Sequence, residues 1–190
     1  MKVIEFMGMP RTGKSTQFQL VETVLRYQEH KKVRCLYEAV KACPLERDNR
    51  FIYNSWSFHH TVNKLMEARG GDTDFVLVER GVWDHIAFSS ALYLNGKITE
   101  EQSAAQSKYC EQFGFLEDKV FVFMVDPETS VKREQKHHRL QGVVINMDFL
   151  SCLHKAYEKT IDGIKQNYQV IDSAKPFEEN TEEILDYILG

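Results

Sequence analysis

One stretch near the N-terminus constrains this chain more than any other. Gly8 to Ser15 read GMPRTGKS and match the phosphate-binding pattern G-x-x-x-x-G-K-[ST] at every fixed position. The apolar run Val3 to Phe6 precedes it, and the helix-compatible stretch TQFQLVETVLRYQEH follows it. Strand, tight loop and helix N-terminus is the setting in which this pattern binds phosphate, because loop amides and the open helix end surround the oxygens. The phosphate-binding candidates are Gly8, Met9, Pro10, Arg11, Thr12, Gly13, Lys14, Ser15 and Thr16. Lys14 would reach the terminal phosphates as a point charge, and the Ser15 hydroxyl would ligate Mg2+. The motif alone does not separate phosphotransfer from hydrolysis or switching.

The 190 residues suffice for one substantial core, and 43% apolar with 27% charged residues describes an ordinary globular domain. A single domain over residues 1–190 is therefore expected. The formal charge of -4 gives no global attraction to nucleic acid or to an anionic membrane. Cys35, Cys43, Cys110 and Cys152 are scattered without metal-ligand spacing, as reduced thiols in the cytoplasm would be. Glu5 and the glycine loop interrupt the first apolar run, so no signal peptide is expected, and no run of eighteen apolar residues predicts a membrane span.

Near-continuous apolar segments predict parallel strands starting near Val3, Val33, Phe75, Val120 and Tyr168. Helical patterns between them complete an α/β order: a three-layer α/β/α arrangement on a five-stranded parallel sheet. The first helix is expected over Lys14 to about Glu29, with Phe18, Val21, Leu25 and Gln28 as its stripe. In such sheets the ligand crevice lies at the carboxyl ends of the strands. Glu38, just past the second strand, is placed for a substrate-side role, the alternative being an exposed loop carboxylate. Arg47 and Arg50, in the polar stretch Lys41 to Phe51, are candidates for substrate phosphate or ordinary surface arginines. From Tyr53 to Ala68 a helix carries aromatics on several faces, and Trp56 and Phe58 suit core packing or a base-sized pocket.

The strand FVLV ends at Glu79-Arg80-Gly81. Glu79 could orient Mg2+ or its water near the loop, and Arg80 could pair with a phosphate, or both could form a structural network. Asp84 and His85 lack a nucleophile in defined relation, so no triad is read there. Thr99 with Gln102 has the capping-box spacing for a helix running to about Phe113. After Asp126-Pro127, VKREQKHHRLQG concentrates Lys132, Arg133, Lys136 and Arg139 within an acidic chain. Residues 127–147 thus form a candidate lid over phosphates, or else a solvated charged helix. The adjacent pairs His59-His60 and His137-His138 diverge on a helix and make no convincing metal site. Asn146 can start the next helix, and the last runs from about Pro176 to Leu189.

In their order these features resemble the thymidylate kinase and deoxynucleoside kinase group of P-loop NTPase-fold phosphotransferases. GKSTQ at Gly13 to Gln17 resembles the thymidylate kinase form of the loop, Glu79-Arg80 the acidic–arginine pair after the third strand, and the segment around Arg133 and Arg139 the phosphate-covering lid. The Asp148-Phe149-Leu150…Ala156-Tyr157 pattern resembles the helix after that lid. The resemblance implies ATP with Mg2+ and transfer to a small nucleoside or nucleoside monophosphate, without stable nucleic acid or membrane partners and with a homodimer allowed. It implies catalytic roles for Lys14, Glu38, Arg80, Arg133 and Arg139, and a metal role for Ser15 and Glu79. Glu38 corresponds to the base of the nucleoside kinases but is followed by Ala39-Val40, not the usual proline-containing pattern. Glu79 stands where thymidylate kinases have aspartate. Pro10 and Arg11 depart from the usual small loop residues, and Arg11 could enter the phosphate site itself. The different-class alternative is a divergent P-loop ATPase acting as a regulatory module; no Asn-Lys-x-Asp guanine signature is present.

Overall fold

Alternation along five parallel strands divides the core in two. The computed structural model describes residues 1–136 and 146–190. Its strands are β1 (Lys2–Gly8), β2 (Val33–Leu36), β3 (Phe75–Glu79), β4 (Lys119–Met124) and β5 (Asn167–Asp172), ordered β2-β3-β1-β4-β5. All four pairings are parallel, with Ile4 opposite Leu77 on one side and Lys119 on the other. Ile4, Phe6, Leu77, Phe121 and Phe123 point to one face, and Val3, Met7, Val76, Val78, Val120 and Val122 to the other. Side chains that alternate with a period of two, all buried, require cover on both faces.

The helices supply it. Among the described residues they are α1 (Lys14–Thr23), α2 (Arg50–Arg69), α3 (Val82–Leu94), α4 (Glu100–Glu111), α5 (Pro127–Lys136), α6 (Met147–Ile161) and α7 (Phe177–Leu189). Phe18 and Val21 of α1, with Ile184 and Ile188 of α7, close the first face. Phe58 and Leu65 of α2, Trp83 and Ala87 of α3, and Leu153 and Tyr157 of α6 close the second. Strand order reverses around β1, with β3 and β4 on its two sides, so a crevice opens at its carboxyl end, where Gly8 starts the loop. The chain thus has the expected five-stranded parallel α/β/α fold.

Local details refine the sequence reading. The first helix remains helical to Gln28, but its last turn, Val24–Gln28, is π-wound, with the Glu29 amide reaching the Val24 carbonyl at 3.0 Å. His30 then adopts φ 53, and Lys31 N closes on Leu25 O at 2.8 Å, a left-handed helix stop. Gln28 faces solvent rather than joining the stripe. Helix α2 starts at Arg50, earlier than expected, because the Asn49 side chain caps the Ile52 amide at 3.1 Å. The Thr99–Gln102 capping box forms in both directions, though α4 stops at Glu111. Asn146 caps α6 through the Phe149 amide at 2.8 Å. No helix among the described residues is long and apolar enough to cross a membrane.

Candidate active site

The loop from Gly8 to Ser15 is held open by its own backbone. Gly8 has φ 141, and a Cβ there would lie 2.2 Å from the Phe123 carbonyl oxygen, so only glycine passes β4 this closely. Gly13, at φ 81, caps α1. Met9 N donates to Phe123 O at 2.9 Å, and the Thr12 hydroxyl donates to Met9 O at 3.0 Å. A cavity of about 590 Å³ lies over the loop. Met9 to Thr16 line it, together with Glu38, Glu79, Arg80, Arg133 and Lys136.

Lys14, Ser15 and Glu79 form its polar floor. Lys14 Nζ is 3.1 Å from Glu79 Oε1, and the Ser15 hydroxyl donates to the same oxygen. Lys41 Nζ approaches Oε2 at 3.5 Å. Burial works to raise the Glu79 carboxyl, but Lys14, Ser15 and Lys41 outweigh it and hold it at about 2. Burial lowers the pKa of Lys14. A hydroxyl oxygen beside a carboxylate ionised at neutral pH is a donor set that suits Mg2+, which takes one or two protein oxygens and completes its shell with water and phosphate. No cluster of three or more His, Cys, Asp or Glu suited to a metal occurs among the described residues.

Arg80 governs the other side. It sits at φ 62, an uncommon backbone state for a non-glycine residue and one that clusters at functional sites. Its Nε lies 2.8 Å from Glu38 Oε1, and its Nη1 donates to both Asp84 oxygens at 3.0 Å. The Asp84 carboxylate also accepts from Gly8 N at 3.2 Å and lies 2.7 Å from the Tyr157 hydroxyl. Burial works against the Arg80 charge, yet Asp84 and Glu38 hold its pKa well above the ordinary value. The Arg80 guanidinium stacks 5.0 Å over Phe88.

Beyond Arg80 a second cavity of about 450 Å³ opens between α2 and α3. Glu38 and Arg80 line both cavities and form the seam between them. Tyr53, Asn54, His85 and Phe88 wall the second, with Lys41, Arg47, Arg50 and Lys97 also lining it. Burial drops the pKa of His85 to about 4, so its ring is neutral. Asn54 is oriented from behind, its Nδ2 donating to Gln106 Oε1 at 3.1 Å.

Of the residues singled out from sequence, Lys14, Ser15, Glu38, Glu79 and Arg80 converge. Arg11 has φ 61, and its guanidinium pairs with Glu134 of α5. Arg133 donates to Arg11 O at 3.0 Å and Ser173 O at 2.7 Å, so it braces the loop against α5 while lining the first cavity. Arg139 and the remainder of the basic segment, 137–145, lie outside the described residues. Trp56 does not line the second cavity; it stacks on His60 with centroids 4.9 Å apart. Asp84, Tyr157 and Lys41 also join the site, although the sequence offers no role there for any of them. The i, i+4 spacing of Arg80 and Asp84 was the available signal.

A family model described as thymidylate kinase matches residues 77–184, more than half of the chain. The match begins inside β3, so Gly8 to Ser15 lie outside it. No curated protein matches by sequence. Among solved structures, deoxyadenosine kinase from M. mycoides with bound dATP aligns over 100% of both chains at 17% identity and TM-score 0.77. The same enzyme with bound dCTP gives TM-score 0.76 at 18% identity, covering 99% of this chain and 98% of that one. With dCMP and dCDP bound it gives 0.73 at 18%, with the same coverage. At these identities the likeness is one of fold.

Proposed function

The chain belongs to the thymidylate kinase family and is a nucleoside or nucleotide kinase; from that premise we propose that its acceptor is a deoxynucleoside 5′-monophosphate. The charge of the second cavity carries this reading. Its carboxylates, Glu38 and Asp84, are both paired with Arg80. Arg47, Arg50 and Lys97 line it with no ion-pair partner among the described residues. Burial, then repulsion from Arg47, lowers the Arg50 pKa, as expected for cations lacking an anion. A monophosphate supplies that anion, and a neutral nucleoside does not.

In this reading the triphosphate of ATP lies along Gly8 to Thr16, with Lys14 on its terminal phosphates. Ser15 and Glu79 would hold Mg2+, which offsets charge on the phosphate oxygens when bound. The acceptor phosphate oxygen attacks the γ-phosphorus across the seam. The bond to the β–γ bridging oxygen breaks, and ADP leaves. Arg80 sits where charge on the passing phosphoryl group needs an offset, and Glu38 keeps that guanidinium oriented. Arg133 and Arg11 wall the first cavity, and closure of the 127–147 segment would exclude water. The four cysteines are free, which suits a cytoplasmic setting.

A second reading rests on Glu38. Its carboxylate lines both cavities, where a nucleoside hydroxyl would need a base, and the M. mycoides structures are of a deoxyadenosine kinase. ADP production from ATP–Mg2+ with the four common deoxynucleosides and their 5′-monophosphates separates the two. The monophosphate reading expects turnover of a monophosphate and a Glu38→Gln variant within about tenfold of the parent, since an ionised phosphate needs little base assistance. Turnover confined to nucleosides, abolished in Glu38→Gln, selects the second reading. Acceptor-independent hydrolysis would sink both.

A further inference from the structure

Glu5 looks in the sequence like a polar interruption of an apolar strand, yet the fold buries it completely. By alternation along β1 it shares the α3-covered face with Val3 and Met7. There it meets Glu117, on the turn entering β4 and only 1% exposed. Glu5 Oε2 accepts from Trp83 N at 3.1 Å, and Oε1 from Asp84 N at 3.0 Å. Glu117 Oε1 accepts from Val82 N at 2.9 Å. These are the first three amides of α3, groups that a helix leaves unpaired.

A side chain at position 81 would have to displace the Glu117 carboxyl. A Cβ on Gly81 would lie 2.0 Å from Glu117 Oε1 and 2.9 Å from Glu5 Cδ. Two carboxyls crowded about one point cannot both be ionised away from water. The neighbouring strands offer no charge, presenting Val78 and Val120 beside Glu5. From α3 the facing group is Asp84, itself committed to Arg80 and to Tyr157 of α6. No cation among the described residues forms an ion pair with Glu5 or Glu117. One shared proton resolves the conflict. Glu117 Oε2 is buried and accepts no hydrogen bond among the described residues. Burial raises both carboxyls, Glu5 to about 7 and Glu117 well above its usual range.

We propose that Glu5 and Glu117 are positioning residues for phosphoryl transfer: sharing one proton, they clamp the first turn of α3 and so fix Asp84, which aims Arg80 at the seam between the cavities. This requires only the kinase reaction and not a particular acceptor. Asp84 is the mechanical link, since its amide is held by Glu5 while its carboxylate holds Gly8 N and Arg80.

The chemistry makes the two positions unequal. Glu117→Gln keeps an acceptor for the Val82 amide and an N–H for Glu5, reproducing the singly protonated pair. Glu117→Leu keeps neither. Glu5→Gln turns an NH2 group toward an amide N–H. With the best-used acceptor from the eight-compound panel, Glu117→Gln should keep kcat within about threefold. Glu5→Gln and Glu117→Leu should lose about ten- to hundredfold in kcat, with KM for ATP little changed, because the loop itself is intact. Amide hydrogen exchange at Val82, Trp83 and Asp84 should accelerate by about tenfold in those two variants and not in Glu117→Gln. Equal kcat in Glu117→Gln and Glu117→Leu, or unchanged exchange in Glu5→Gln, overturns the proposal. If Glu5→Gln does not fold, the two Glu117 variants decide it. If no acceptor is turned over, the acceptor reading fails while the exchange measurement still decides the clamp.

Discussion

Replacing Asp84 by Asn tests how far Arg80 depends on its buried partner. The Asp84 side chain is 2% exposed, and Arg80 reaches both its oxygens at 3.0 Å. Asn preserves shape and one acceptor oxygen, so Gly8 N and Tyr157 keep a partner, but the charge disappears. Removing one member of a buried ion pair costs about 3–5 kcal/mol, mostly by stranding the other charge. Arg80 retains Glu38 at 2.8 Å, which puts the expected loss at the lower end, about 3 kcal/mol. For a chain of this size that lowers Tm by about 6–12 °C. The guanidinium also loses the contact that sets its direction, so kcat should fall about a hundredfold. Circular dichroism melts and acceptor-dependent ADP production read the two effects separately. A Tm within about 2 °C of the parent together with parental kcat would refute the assignment of Asp84 as the anchor of Arg80.

The remaining tests address the loop, the floor and the buried pair. Gly8→Ala should abolish nucleotide binding by titration calorimetry, because its Cβ would lie 2.2 Å from the Phe123 carbonyl oxygen. Glu79 is depressed from 4.5 to about 2, so it contributes stability that is complete above about pH 4.5 and fades as pH falls toward 2. The shift corresponds to about 3 kcal/mol at most, and urea unfolding of Glu79→Gln should show that acid-side loss removed. Glu5 shifts the opposite way, to about 7. The folded state then holds the extra proton, so stability should decline as pH rises from about 4.5 to 7, and Glu5→Gln should flatten that slope. Gly81→Ala should cost about 1–3 kcal/mol by overpacking against the Glu117 carboxyl, measured as a lowered denaturation midpoint.

Much of the architecture was legible because it rests on local periodicity. Val76, Leu77 and Val78 announce a strand buried on both faces, and Thr99 with Gln102 announces a helix start, since each signal needs only neighbours in the chain. Boundaries slipped where a single side chain decided them, as Asn49 did for α2. Within the site, Lys14 and Ser15 were readable from spacing. Glu38 and Arg80 were readable as strand-end residues, although nothing in the spacing said that they would pair with each other. Trp56 suits core packing or a pocket by its chemistry, and only the fold shows it stacked on His60.

By itself, then, the sequence determined a phosphate loop between strand and helix, a parallel sheet, and an acidic–arginine pair at a strand end. These follow from steric and hydrophobic rules acting over a few residues. Only the tertiary structure decided that Asp84 belongs to Arg80, that Tyr157 reaches Gly8 across 149 positions, and that Glu5 and Glu117 meet beneath α3 although far apart in the chain. Such pairings depend on how layers stack, and burial changes what each group is. In water Glu5 would be an ordinary carboxylate, whereas under α3, beside a second carboxyl and three amides, it shares a proton and holds a helix in place.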